Sequence, residues 1–139
     1  MPGETLEHFD DRGFIATQRY PIDELARVPR YRVKFDGNQV DPERFEVLFA
    51  AVEAWTARGV RVFGFEPPIS TELAGLEQEL SGFERDAFIE EFTRRGGIWL
   101  DDLGADYQTY DGEHLLLTSA ARFSDELARR LRRELSEDR

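Results

Sequence analysis

The chain has 139 residues, of which 18 are basic and 29 acidic, so its formal net charge is −11. This length suits one domain, and a surface this acidic repels nucleic acids and anionic membranes, so no nucleic-acid partner is expected. The absence of cysteine excludes disulfides, thiol catalysis and cysteine-ligated metals.

Neither a signal peptide nor a membrane-spanning segment is predicted. The opening stretch, MPGETLEHFDDRGF, contains no apolar run. No other stretch approaches the roughly 20 apolar residues that cross a bilayer. We therefore expect a soluble chain that does not insert directly into a membrane and that is cytoplasmic if the sequence is complete.

The first part of the chain, residues 1–40, is predicted to be the least regular. Two short strands are expected, at Phe14–Ala16 and at Tyr31–Phe35, with a short helix at 22–27 between them. The remainder of this part is expected to be extended or in turns.

From residue 41 to about residue 135, helices and strands alternate. Asp41 is a candidate N-cap and Pro42 suits the first helical position, so a helix is predicted from there to Gly59. Its apolar residues fall at spacings of three and four: Phe45, Leu48, Phe49, Val52 and Trp55.

The elements that follow are read in the same way. A strand is predicted at 60–66, then a helical stretch at 71–95 that breaks at 81–84, where Ser81 and Glu84 have capping-box spacing. A strand at 98–100, a polar loop at 101–117 and a last helix complete the order. The residues of the last helix expected to face inward are Phe123, Leu127, Ala128, Leu131 and Leu135.

This order predicts an α/β fold in a single domain over residues 1–139, with a short, mostly parallel sheet flanked by helices. Two secure strands are too few for a self-sufficient sheet. Either the N-terminal segments contribute strands or the sheet is incomplete.

Ligands of open α/β sheets bind beyond the carboxyl ends of the strands, which here are the loops 65–70 and 100–114. The second loop contains Asp111 and His114, three residues apart. In one interpretation the carboxylate fixes the imidazole tautomer and leaves the other nitrogen free to take a proton from a serine. In the other, Asp111 and Gly112 form a turn in a solvated loop and His114 packs locally.

The segments RGFIATQRY, DPERFEVLFAAVEAWTARGVRVFGFEPPIS and YDGEHL, followed by a small-residue helix start, resemble the C-terminal half of the SGNH (GDSL-type) hydrolase superfamily. The likeness covers about residues 12–132 and is nearest to proteins of bacterial cell-envelope acylation, such as D-alanine transfer and alginate O-acetylation proteins. It implies an incomplete flavodoxin-like three-layer domain, with His114 as general base and Asp111 as its orienting partner. It also implies ester hydrolysis or acyl transfer on a carbohydrate or acyl-ester ligand, without a cofactor.

The resemblance lacks the nucleophilic serine in its G-D-S block. Of the serines in this chain, Ser70 alone lies near the predicted crevice, so the isolated chain is expected to be a poor or inactive esterase. An alternative is an acidic interaction module that forms a homodimer through exposed sheet edges.

Three weaker candidates complete the set of polar and aromatic groups. A divalent cation would use Asp101, Asp102 and Asp106 together with the Asp111 and His114 side chains. Tyr107 and Tyr110 are candidates to stack on a sugar, and Glu66 is a candidate acid or base.

Overall fold

A computed structural model describes residues 4–9, 15–101, 103 and 106–136. The elements within these residues are β1 (Glu4–Phe9), β2 (Ile15–Tyr20), α1 (Val28–Phe35), α2 (Pro42–Thr56), β3 (Phe63–Gly64), α3 (Thr71–Leu80), α4 (Arg85–Arg94), β4 (Ile98–Trp99) and α5 (Leu117–Ser136). β1 and β2 pair in antiparallel fashion, and β3 and β4 pair in parallel. The fold is therefore mixed α/β, with a short parallel sheet.

The segment Tyr31–Phe35, predicted to be a strand, is instead the second half of helix α1. Tyr31, Val33 and Phe35 alternate with basic residues, which is why the segment resembles a strand. Tyr31 and Phe35 are also four residues apart, and their rings lie 5.5 Å apart on one side of the helix, whereas Val33 is 77% exposed. Pro29 in the first turn starts this helix.

The other expectations for the N-terminal part are met only in part. The helix predicted at 22–27 is absent: residues 24–27 form turns, and helix α1 begins just after them. Ile15 and Ala16 lie in β2, so the predicted strand is longer than expected, while Phe14 lies outside the described residues.

Helix α2 confirms the predicted capping. The Asp41 side chain accepts the amide of Glu43 at 3.0 Å, and the chain turns at Gly59, whose φ is +80°. Phe49 and Val52 are buried, whereas Leu48 and Trp55 are exposed. The apolar pattern of α2 is therefore wider than the face that it buries.

The strand predicted at 60–66 is confirmed only at its centre, where β3 lies beside β4. Ile98 donates its amide to the carbonyl of Val62, and Leu100 to that of Gly64, both at 2.8 Å. A Cβ atom on Gly64 would lie 2.6 Å from the Trp99 ring. The glycine therefore makes room for the aromatic side chain of the neighbouring strand.

The helical stretch 71–95 breaks where predicted, but not through a capping box. The Ser81 hydroxyl accepts the amide of Phe83 at 3.1 Å, and Glu84 occupies the N-cap of α4 without a side-chain bond. Between Ser81 and Phe83 lies Gly82, whose φ is +68°.

Helices cover both faces of the β3–β4 pair. On one face Phe49, Val52 and Phe92 form a cluster against which Val62 and Trp99 pack. On the other face Phe63 and Ile98 pack against a cluster that includes Phe123 of α5. The alternation of side chains along each strand explains why both short strands are apolar throughout.

The inward face predicted for α5 holds from Phe123 to Leu131 but not at Leu135, which is 49% exposed. A helix of 20 residues is about 30 Å long, so its last turn runs past the short strands that it covers. Among the helices of the described residues, none has the length and apolar character needed to cross a bilayer.

Candidate functional site

A cleft of about 1100 Å³ lies beyond the carboxyl ends of β3 and β4. The loop after β3 contributes Glu66, and the loop after β4 contributes Asp101 and Glu113. Arg85 of α4 joins the two loops, because its guanidinium donates to Glu66 at 2.6 Å and to Asp101 at 3.2 Å. The two loops singled out from the strand order therefore meet at one edge of the sheet.

Asp111 and His114 contact each other directly. Nδ1 of His114 lies 3.0 Å from Oδ2 and 3.1 Å from Oδ1 of Asp111. The Asp111 side chain is 8% exposed, whereas that of His114 is 47% exposed and its ring stacks on Tyr110. The carboxylate is thus fixed in the protein, and the imidazole faces outward from it.

Two backbone amides also bind the Asp111 carboxylate. Oδ1 accepts the amide of Glu113 at 3.1 Å and that of His114 at 2.9 Å, which closes the turn of the D-x-x-H segment. This is the local turn that the alternative interpretation of the loop foresaw. The turn and the carboxylate–imidazole pair occur together, because one carboxylate oxygen serves both.

Arg27, which precedes α1, supplies the counter-charge. Its Nε donates to Oδ2 of Asp111 at 2.8 Å and lies 3.6 Å from Glu113. Burial acts to raise the pKa of Asp111, but hydrogen bonds from Arg27, from the imidazole of His114 and from the two backbone amides outweigh it and lower that pKa to about 2. Asp111 is therefore ionised at neutral pH.

Backbone hydrogen bonds hold the loop from two sides. Asp23 donates its amide to the carbonyl of Tyr110 at 2.9 Å, and Arg27 donates to that of Asp111 at 3.2 Å. Ser70 donates its amide to the carbonyl of Gly112 at 2.8 Å. The D-x-x-H loop is therefore built into the protein between the start of α1 and the start of α3.

Ser70 lies beside the loop, as a nucleophile for His114 would, but its hydroxyl caps a helix. Its Oγ accepts the amide of Leu73 at 3.3 Å as the N-cap of α3, and the residue is 8% exposed. Among the described residues, no hydrogen bond joins this hydroxyl to His114. The geometry is that of a helix cap and not of an exposed nucleophile.

Glu113 points from the same loop into the cleft. It accepts the hydroxyl of Tyr31, and this hydrogen bond, with burial, raises the pKa of Tyr31. Both side chains line the cleft, whereas His114 is not among the lining residues. The loop thus presents a carboxylate to the cleft and an imidazole outside it.

The tyrosines proposed as sugar-stacking groups are used internally. Tyr107 packs edge-on against Phe123 and donates its hydroxyl to the carbonyl of Leu103 at 2.6 Å. Tyr110 is 5% exposed, and one face of its ring is covered by His114. Neither ring therefore offers an open platform to a sugar.

The proposed cation site finds no support in the part of the chain that the structure describes. No three histidine or acidic side chains converge there in a way that would hold a metal ion. Asp102 lies outside the described residues, and Asp101 is bound to Arg85.

Sequence reasoning missed Arg27, Tyr31 and Glu113. The first two lie more than 80 positions before the groups that they bind, Asp111 and Glu113. Arginine and tyrosine in an amphipathic segment give no local signal of such a contact. Glu113 lies inside the motif itself, but the motif does not indicate on which side of the loop the carboxylate falls.

These features define the protein as a mixed α/β protein in which a buried carboxylate pairs with an exposed histidine beside an acidic, aromatic cleft. No protein-family model matches the chain, and comparison with curated proteins and with solved structures finds no significant match. Function is therefore argued from the site alone.

Proposed function

We propose that the chain is an SGNH-hydrolase-like domain, of the flavodoxin-like three-layer type, that carries the base and its orienting carboxylate but not the serine. His114 is the general base and Asp111 its partner. The order of β3, α3, α4, β4, the D-x-x-H loop and α5, with helices on both faces of the strands, supports this reading. As an isolated chain the protein is inactive as an esterase.

The contact between Asp111 and Nδ1 of His114 carries the proposal. A carboxylate at this position holds the proton on Nδ1, so Nε2 is the acceptor that a general base needs. Because Asp111 is ionised and bound to Arg27, it orients the imidazole at neutral pH. Nearly half of the His114 side chain is exposed, so an incoming hydroxyl can approach it.

The ligand of this site is an acyl ester or a carbohydrate. His114 does not line the cleft beside the loop, so the cleft would bind a part of the ligand away from the reacting ester. The cleft is lined by carboxylates, which accept hydrogen bonds from sugar hydroxyls, and by aromatic rings such as Phe35 and Phe83. Since Ser70 serves as a helix cap, the attacking hydroxyl comes from another polypeptide or from the acyl acceptor itself.

We expect a defined tautomer for His114. At a pH where the imidazole is neutral, nitrogen NMR of the labelled protein should show the proton on Nδ1 in the native chain, because Asp111 accepts it. In Asp111→Asn the amide no longer favours that tautomer, and the proton should move largely to Nε2. A native His114 protonated mainly on Nε2 would remove the basis of the proposed role.

We also expect hydrolysis of p-nitrophenyl acetate by the isolated chain to stay within about threefold of the His114→Ala variant, since no positioned nucleophile is present. The Ser70→Ala variant tests the candidate nucleophile, and Ser124→Ala, which changes an exposed serine of α5, is its matched control. A rate at least about 100-fold above background that both His114→Ala and Ser70→Ala abolish would show that Ser70 is a nucleophile.

A further inference from the structure

Arg27 and His114 contact the same two carboxylate oxygens. Nε of Arg27 lies 2.8 Å from Oδ2 of Asp111 and 3.6 Å from Oε2 of Glu113. Nδ1 of His114 lies 3.0 Å from the same Oδ2 atom and 3.8 Å from the same Oε2 atom. The guanidinium and the imidazole are therefore neighbours that share two carboxylates.

These two carboxylates by themselves favour the protonated imidazole. An opposite charge within about 4–6 Å stabilises the charged form of a titrating group, and two such charges face Nδ1 of His114. A general base must be unprotonated when it acts, because only the neutral imidazole accepts a proton at Nε2. A positive charge bound to the same oxygens counteracts the carboxylates.

The protein fixes the charge of Arg27 at this place. The amide of Arg27 donates to the carbonyl of Asp111 at 3.2 Å, so the backbone and the side chain both join this residue to the loop. Both side chains are mostly buried, so water screens their attraction less than it screens a surface pair. The hydrogen bond to Asp111 also raises the pKa of Arg27, which is therefore charged throughout the range in which histidine titrates.

The other charged and titratable groups near the loop do not take the place of Arg27. Within the described residues these groups are Arg19 of β2, Asp23 and Glu24 before α1, Tyr31 of α1, and Tyr110. The Asp23 carboxylate accepts the amide of Leu25 in its own turn. Tyr31 donates to Oε1 of Glu113 and so leaves Oε2 to Arg27. Burial and the charge of Asp111 raise the pKa of Tyr110, so the ring that stacks on His114 is neutral.

We propose that Arg27 is the positioning residue of the candidate base: it holds the two carboxylates that face His114 and offsets their charge, so that His114 takes up a proton less readily. The inference rests on the proposed function, since proton uptake by His114 matters for chemistry only if His114 is the base. It gives Arg27 an effect on the imidazole in addition to its effect on the stability of the loop.

An NMR titration of the full chain, with nitrogen-15 in its histidines, measures this effect. In Arg27→Gln the midpoint of the His114 titration should rise by about one pH unit, because the carboxylates are no longer offset. The rise is not larger, since nearly half of the His114 side chain is exposed to water. The neutral imidazole should keep its proton on Nδ1, because two backbone amides still hold Asp111 in place.

Two further variants separate the charge of Arg27 from other causes. Arg27→Lys keeps a positive charge beside the carboxylates and should leave the midpoint within about 0.3 pH units of the native value. Arg32→Gln is the matched control, because it removes an exposed arginine of the same helix, and should change the midpoint by less than about 0.2 pH units. His8→Gln assigns the signals, since the chain has two histidines.

Circular dichroism first establishes that each variant is folded. An unchanged midpoint in a folded Arg27→Gln, or a rise as large in Arg32→Gln, would overturn the proposal. If Arg27→Gln does not fold, Arg27→Lys decides: a midpoint close to the native one supports the role of the charge, and a rise of about one pH unit contradicts it. A native His114 protonated mainly on Nε2 would instead remove the proposed function, so the two failures are distinguishable.

Discussion

Replacement of Asp111 by alanine is expected to lower the free energy of unfolding by about 3 kcal/mol at neutral pH. Asp111 is buried, and its carboxylate accepts hydrogen bonds from Arg27, from His114 and from two backbone amides. Without it these donors lose their acceptor, and among the described residues Arg27 keeps an ion-pair partner only in Glu113, 3.6 Å away. Urea unfolding followed by circular dichroism measures the difference.

The same carboxylate should make the protein sensitive to acid. Its pKa is about 2 in the folded protein and near 3.8 in an unfolded chain, so it contributes about 2 kcal/mol of stability above pH 5 that is lost as the pH falls toward 2. The stability gap between the native chain and Asp111→Asn should therefore be constant at neutral pH and close in acid.

His114→Ala is the control for both measurements. His114 is exposed and gives up one side-chain hydrogen bond, so its removal should cost less than about 1 kcal/mol. If Asp111→Ala proved no more destabilising than His114→Ala, the hydrogen bonds around the carboxylate would not stabilise the fold.

Replacement of Gly112 by alanine is expected to cost about 3 kcal/mol or more. The residue has a φ of +91°, and a Cβ atom there would lie 2.4 Å from the carbonyl oxygen of Glu24 and 3.1 Å from the Oγ of Ser70. Because the nearest obstacle is backbone, the loop must move away from the segment before α1. Thermal unfolding would measure the loss.

The Gly59→Ala variant separates the cost of backbone strain from the cost of a steric clash. Gly59 has a φ of +80°, but a Cβ atom there would meet nothing within 4 Å, so this variant suffers only the backbone strain of about 1 kcal/mol. Equal losses in the two variants would show that the loop is not held against the segment before α1.

Asp111 therefore stabilises the loop and, in the proposed function, orients the imidazole of His114. A single variant can separate these two roles. Asp111→Asn keeps the size of the side chain and an oxygen that can accept the amides of Glu113 and His114, but it removes the charge that faces Arg27. Loss of the Nδ1 tautomer in this variant, with the fold retained, would identify the role toward His114 specifically.

The N-terminal half of α2 and the helix break near Ser81 could be predicted because their signals are local. An Asp–Pro pair favours the start of a helix through the cap and the first helical position. The break near Ser81 was predicted from capping-box spacing, and its position is confirmed although the box itself does not form. The strand predicted at Tyr31–Phe35 was wrong because alternation and spacing of four coincide in so short a segment. Only its neighbours decide which periodicity is used.

In the candidate site, too, local contacts could be predicted and long-range contacts could not. Asp111 and His114 are adjacent within one turn, so their contact could be foreseen from the spacing, and Ser70 could be placed near them from the strand order. The roles of Arg27 and Ser70 could not be foreseen. One depends on a contact between residues 84 positions apart, and the other on which groups a serine hydroxyl finds when its helix begins.

By itself, the sequence determined the alternation of helices and strands after residue 41, the two loops in which polar groups gather, and the D-x-x-H turn, because each depends on residues within a few positions of one another. The tertiary structure alone decided that Arg27 neutralises the Asp111 carboxylate, that Glu113 enters the cleft while His114 stays outside it, and that one flank of α2 is exposed. These features depend on contacts between segments that are far apart in the sequence. The pattern of residue types along the chain does not indicate which distant segments come into contact.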